Sequence, residues 1–147
     1  MRLYKLFAIW ALLVMSTSLY AGEHVVKLLT TSSDGETMIF EPGFLKVSVG
    51  DIVVFEPADA SHNAESFFSP SPNASFLTEL GKTVAVTMTH EGVYLYKCTP
   101  HFVLGMVGVI QVGEGINKAE ALTAWDASKS ALVMNQDRMD GYLDQIE

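Results

Sequence analysis

Cysteine is nearly absent from this chain. Its 147 residues contain one, Cys98, so no internal disulfide can form and the single thiol needs another explanation. Basic residues are scarce too. Nine Lys and Arg stand against 17 Asp and Glu, a formal charge of −8. A surface that acidic is repelled by phosphate backbones and anionic lipid, which excludes nucleic-acid and membrane-surface binding. There is no internal repeat and no low-complexity tract. The apolar run at residues 6–15 is too short and wrongly flanked for a membrane span. Arg2 and Lys5 precede it and the small, polar stretch 16–21 follows, the layout of a secretory leader. Cleavage after Ala21 is expected. It would leave 126 residues, 22–147, with seven basic residues, the same 17 acidic ones and a formal charge of −10. That length has room for one modest core and no multidomain enzyme.

What is present is strand-like. Residues 24–30 (HVVKLLT) mix β-branched and apolar positions, and Ser32-Ser33-Asp34-Gly35 punctuates after them. Alternation at 44–49, a turn at Gly50-Asp51 and a further run at 52–56 predict two more strands. The Pro-, Ser- and Asn-rich stretch 57–72 reads as a long loop. Strands follow at 83–89, 93–97 and 106–112, separated by turns at 90–92 and by a loop at 98–105. Short strands at regular spacing predict an all-β, Greek-key sandwich. After Gly113 the period changes. Asn117 with Glu120 has the form of a capping box, and Trp125, Leu132, Met139 and Ile146 recur at every seventh position beside Leu143. This predicts a helical tail over 117–147, in one or two pieces, packed on the sandwich through that stripe, with Gly141 its weak point.

One loop gathers unusual chemistry. Cys98, His101 and Met106 place a thiol, an imidazole and a thioether within nine residues. Two imidazoles and a thiolate in a trigonal plane, with a weak axial thioether, suit copper in both oxidation states. A second imidazole must then come from elsewhere. His62, in the irregular loop 60–64 just after a hydrophobic strand, is the best placed of the four histidines. His24 and His90 read as solvated. Taken singly, Cys98 could be a buried hydrophobe, His101 a turn residue and Met106 a core position; their joint spacing is what argues for a metal.

Cys98-Thr99-Pro100-His101 with Met106, the stretch Met38-Ile39-Phe40-Glu41-Pro42, the strand pair around Gly50-Asp51 and His62-Asn63-Ala64-Glu65-Ser66 resemble the pseudoazurins, a branch of the cupredoxins. The similarity runs across nearly the whole of 22–147, including the tail, whereas plastocyanins end at the last strand. The resemblance implies a cupredoxin domain over 22–147 and one copper ion, Cu(II)/Cu(I), held by His62, Cys98, His101 and Met106. It implies that the backbone amide of Asn63 donates to the Cys98 sulfur and that Met38 packs near the exposed imidazole. It also implies an apolar docking patch around His101 formed by Pro100, Phe102, Val103 and Leu104.

The function expected from this is electron transport rather than enzymology. All four coordination positions would be filled by protein donors, which leaves none for a substrate. The expected protein is a monomeric periplasmic shuttle meeting transient redox partners, a reductase or dehydrogenase, with copper nitrite reductase the family's example. Pseudoazurins commonly ring the patch with lysines, and this chain has few, among them Lys46, Lys82 and Lys97. Either these cluster near His101 or the partner presents a basic face. The alternative is a periplasmic copper-delivery protein, but its seven methionines do not cluster as such proteins favour.

Overall fold

The structure is a computed structural model that describes residues 20–147. The leader expected over 1–21 lies outside the described residues except for Tyr20 and Ala21. Eight strands form two sheets: β1 (Glu23–Thr31), β2 (Thr37–Glu41), β3 (Phe44–Val47), β4 (Ile52–Pro57), β5 (Glu65–Phe68), β6 (Val84–Thr87), β7 (Gly92–Lys97) and β8 (Val107–Val112). One sheet has the order β2-β1-β4-β6 and the other β3-β8-β7-β5. β1 runs parallel to β4 and β3 parallel to β8, while the other pairs are antiparallel. The chain therefore crosses repeatedly between sheets, which is the all-β Greek-key sandwich expected from the sequence.

Two strands escaped the sequence reading. β2 falls in a stretch too short and mixed to declare itself. β5 lies inside the segment read as loop. Its four residues, Glu-Ser-Phe-Phe, are all half-buried, and its pairing with β7 is interrupted by a register shift between Ser66 and Phe68. A bulged edge strand with no buried face has no period-2 signature to read.

β7 and β8 are buried on both faces, which explains their continuous apolar sequences. Tyr94, Tyr96, Ile110 and Val112 face the interior between the sheets, with Val26, Leu28, Phe40, Val53 and Phe55. Val93, Leu95, Val107 and Val109 face outward into a second apolar cluster. The tail covers that face with two helical pieces, α1 (Lys118–Ser128) and α2 (Arg138–Leu143). The seven-residue stripe is buried as expected: Trp125, Leu132, Met139 and Ile146 all join the second cluster, with Leu143. The Trp125 indole N–H donates to Asp140 Oδ1 at 2.6 Å and so ties α1 to α2. Where the tail ends, buried Gln111 and the backbone of Glu147 exchange hydrogen bonds, and Lys118 Nζ donates to the Ile146 carbonyl.

The capping box does not form. Asn117 makes no side-chain bond to its own helix. Its Oδ1 accepts from Val93 N–H at 2.6 Å and its Nδ2 donates to the Val93 carbonyl at 3.2 Å. Val93 pairs with Gln111 of β8 on one side, but the β5 ladder ends at Leu95 on the other, and there an amide side chain can both accept and donate. His24 is not simply solvated either: its Nε2 lies 2.9 Å from Asp51 Oδ2, and the same carboxylate accepts from Gly22 N–H and Ser48 N–H. His90 is exposed; its Nδ1 lies 2.8 Å from Thr89 Oγ1, and its carbonyl accepts from the Tyr94 hydroxyl at 2.9 Å.

Two predictions follow from these contacts. Replacing Asn117 by Ala is expected to lower the unfolding free energy by about 1–3 kcal/mol, because two backbone groups of β7 lose their partner. Asn117→Ser, a good helix cap, should recover little of this in a denaturant titration; full recovery would mean a capping role after all. The Ser48 N–H, then His24 and Gly22 N–H, hold the Asp51 carboxyl below its usual range. Its stabilisation is therefore complete above the ordinary carboxylate value near 4 and is lost as pH falls through its lowered folded value. The stability gap between the protein and Asp51→Asn should stay constant above about pH 5 and shrink in more acidic solution. A gap independent of pH down to about pH 2 would contradict this.

Candidate metal centre

Two loops at one end of the sandwich bring three of the four predicted donors together. The first leaves β4 and runs to β5; the second joins β7 to β8. His62 on the first loop and Cys98 and His101 on the second place one ring nitrogen, the sulfur and another ring nitrogen all within 4.8 Å of one another. Cys98 Sγ is 3.8 Å from His62 Nδ1 and 3.5 Å from His101 Nδ1. The two imidazole rings meet edge to face with centroids 5.0 Å apart. His62, Cys98 and Met106 are completely buried and His101 is half-exposed. Met106 follows the turn Phe102–Leu104 and Gly105. Its N–H donates to the His101 carbonyl at 3.2 Å, and its carbonyl accepts from Cys98 N–H at 3.0 Å, so the loop is closed by its own backbone.

Asn63 stitches the two loops. Its Oδ1 accepts from Thr99 N–H at 2.8 Å and its Nδ2 donates to Thr99 Oγ1 at 3.0 Å. The backbone N–H groups of Asn63 and His101 favour the Cys98 thiolate, but burial is the larger influence and pushes the thiol up. A buried sulfur of this kind ionises when a cation restores the lost solvation. Burial pulls His62 the other way, towards its neutral form, and neighbouring Asp59 partly opposes that. Neutral imidazole is the form with a lone pair to give.

The environment of His62 fixes where that lone pair sits. Thr30 Oγ1 donates its only proton to Asp59 Oδ2 at 2.8 Å. The same hydroxyl is 2.9 Å from His62 Nε2 and can then only accept there, so Nε2 carries the ring proton and Nδ1 faces the sulfur bare. The Ser61 hydroxyl and N–H, with Thr30, hold Asp59 well below the usual carboxylate range. Thr30 and Asp59 carried no signal in the sequence, since they lie in ordinary strand and turn contexts.

Of the other residues singled out in advance, Met38 is partly buried against the sandwich core, with φ of +51°. Pro100 and Val103 are exposed, and Phe102 and Leu104 are half-buried. Phe102 leans inward on Phe67, with centroids 5.7 Å apart, and Lys97 Nζ lies 5.0 Å from its ring centre. Two apolar residues not anticipated there, Val133 and Met134, are 70% and 51% exposed. Val133 N–H donates to the Val103 carbonyl at 2.9 Å, which places the pair beside the loop.

A sulfur and two imidazole nitrogens at this spacing, with a thioether next along the loop, form a soft, mixed donor set that fits copper. Comparison with known proteins agrees. Residues 26–113 match the copper binding proteins of the plastocyanin/azurin family. Pseudoazurin from Paracoccus pantotrophus is 36% identical over 138 residues, with 92% of each chain covered. A putative pseudoazurin from Rhizobium leguminosarum bv. viciae is 40% identical over 140 residues, covering 92% of this chain and 88% of its own. The crystal structure of native pseudoazurin from Hyphomicrobium denitrificans superposes with a TM-score of 0.74 at 37% identity, over 86% of this chain and 99% of its own. The donor geometry, the tailed sandwich and these relatives place the chain in the plastocyanin/azurin family of copper-binding proteins, among its pseudoazurin-like cupredoxins.

Proposed function

We propose that this protein is an exported carrier of single electrons, with one copper ion held by His62, Cys98, His101 and Met106. The observation that carries the reading is the convergence of two imidazole nitrogens on one buried sulfur within 4.8 Å. Copper in such a set supplies a one-electron couple, Cu(II)/Cu(I), with little rearrangement of its donors. The residues do the rest. Cys98 and His62 are sealed from water, and the Thr30–Asp59 pair fixes the ring of His62. Asn63 and the Cys98–Met106 backbone bond hold both loops against movement when the charge changes. With four protein donors no open position remains for a substrate, which favours a carrier over an enzyme. Full burial of three of the donors opposes the easy release that a delivery protein needs.

His101 is the one donor that reaches the surface, so electrons enter and leave through its ring. Pro100, Phe102, Val103 and Leu104 surround it as the docking patch, and Met38 packs near it as the family resemblance implies. Transient redox encounters use small interfaces, below about 1,200 Å² in total. The charges differ from the lysine ring of the family. Lys97 is 3.7 Å from the Glu65 carboxylate, which counters its charge. Lys46 sits far along β3, opposite Gln111, and pairs with Glu147. Arg138, at the ligand loop, is nearly buried and faces Glu36 at 3.9 Å, and Lys82 also lies near the site end, next to Gly81, whose N–H donates to the His62 carbonyl. We therefore favour a partner with a neutral or basic face over an acidic one, which makes a copper nitrite reductase of the family's usual kind a poor match. The leader-like layout of residues 1–21 supports export to the periplasm, and a transient carrier needs no oligomer; no helix among the described residues is long and apolar enough to cross a membrane.

Addition of one equivalent of copper(II) to the purified protein should produce an intense visible thiolate-to-copper band. Cys98→Ser should abolish it, since a hydroxyl is a poor soft ligand. Met106→Gln should keep a coloured site and shift its reduction potential in cyclic voltammetry. A colourless wild-type protein with Cys98 still reduced would refute the copper reading, and an unmoved potential in Met106→Gln would remove Met106 from the axial position.

A further inference from the structure

The tail does more than cover an apolar face. Three consecutive carbonyls of the ligand loop are each received by the segment between α1 and α2 or by the first residue of α2. The Val103 carbonyl accepts from Val133 N–H at 2.9 Å, the Leu104 carbonyl from Asn135 Nδ2 at 2.9 Å, and the Gly105 carbonyl from Arg138 Nη1 at 2.8 Å. The same guanidinium donates to the Met38 carbonyl at 2.7 Å and the Thr37 carbonyl at 3.1 Å. Its side chain is 8% exposed, and its nearest carboxylate is Glu36 at 3.9 Å. A planar group with five donors is suited to hold three carbonyls at once.

The fit at Gly105 is close. A Cβ there would fall 2.7 Å from the Met134 carbonyl oxygen and 2.8 Å from Asn135 Cβ, and φ is +78°. The loop and tail backbones thus meet where only glycine fits. The tail segment is itself pinned on both sides, since Leu132 before it and Met139 after it are buried in the second apolar cluster.

We propose that residues 132–138 clamp the ligand loop, with Arg138 the positioning residue that fixes its last turn and thereby the placement of Met106 and of the His101 ring. The clamp also binds the Met38 segment to that turn, so three regions distant in sequence move as one body. It rests on the proposed copper reading only in what it tunes. The clamp itself is a property of the metal-free chain.

The test therefore has two arms. In the metal-free protein, amide hydrogen exchange followed by NMR should show Met106 and Gly105 exchanging at least about tenfold faster in Arg138→Ala, with the β7–β8 ladder unchanged. Arg138→Lys, which keeps the charge but loses the fork, should fall between. Trp125→Phe, which frees Asp140 without touching the loop, should not reproduce the local change. In the copper-loaded protein, Arg138→Ala should shift the reduction potential and the visible band, and Trp125→Phe should leave both in place. Uniform acceleration across loop and ladder in Arg138→Ala, or loop amides unchanged from wild type, would overturn the clamp. Local acceleration with unmoved potential and band would overturn its role in placing the donors. Failure of the wild type to colour with copper would refute the function and leave the first arm standing.

Discussion

Redox chemistry in this molecule is arranged around a sulfur atom that water cannot reach. Cys98 is fully buried, its thiol is pushed up by that burial, and backbone N–H groups from two loops, at Asn63 and His101, oppose that shift. Unpaired burial of a group that must ionise is costly, so the arrangement makes sense only with a cation to complete it. Both loops are needed at once, which is why a two-sheet sandwich is the support. β4 leads into the loop of His62, β7 and β8 bracket the loop of Cys98, and neither could converge on the sulfur without the other sheet behind it.

The second layer around the sulfur is built from residues with unremarkable chemistry. Thr30 and Asp59 set which nitrogen of His62 is free. Asn63 joins the loops by exchanging two hydrogen bonds with Thr99. Arg138 reaches Met38, 100 positions away in the chain, and also the last turn before Met106. Such partners restrict ligand orientation and so limit rearrangement between oxidation states. The tail thereby contacts the ligand loop as well as the core, which gives a physical reason for packing that extends past the family match at 26–113.

The sequence disclosed what residue identity alone can carry. Cys98 and His101 are close in the chain and chemically distinctive, so their convergence could be read directly. His62 needed the requirement for a second imidazole, and the seven-residue stripe declared a buried tail face. What stayed hidden depends on long-range geometry. β5 is a bulged edge strand without a buried face. Asn117 has the form of a cap but is captured by β7, whose free backbone groups at Val93 competed successfully for its amide. His24 looked solvated because Asp51, its partner, lies 27 positions on. Thr30, Asp59, Asn135 and Arg138 have no local pattern at all, since each acts through a neighbour that only folding supplies.

X-ray absorption at the copper edge of the loaded protein tests the central claim most directly. The account predicts a first shell of one short sulfur and two nitrogens around a single ion, with the sulfur lost in Cys98→Ser. A first shell of nitrogen and oxygen alone, indifferent to that substitution, would show that the ion sits elsewhere and would contradict it.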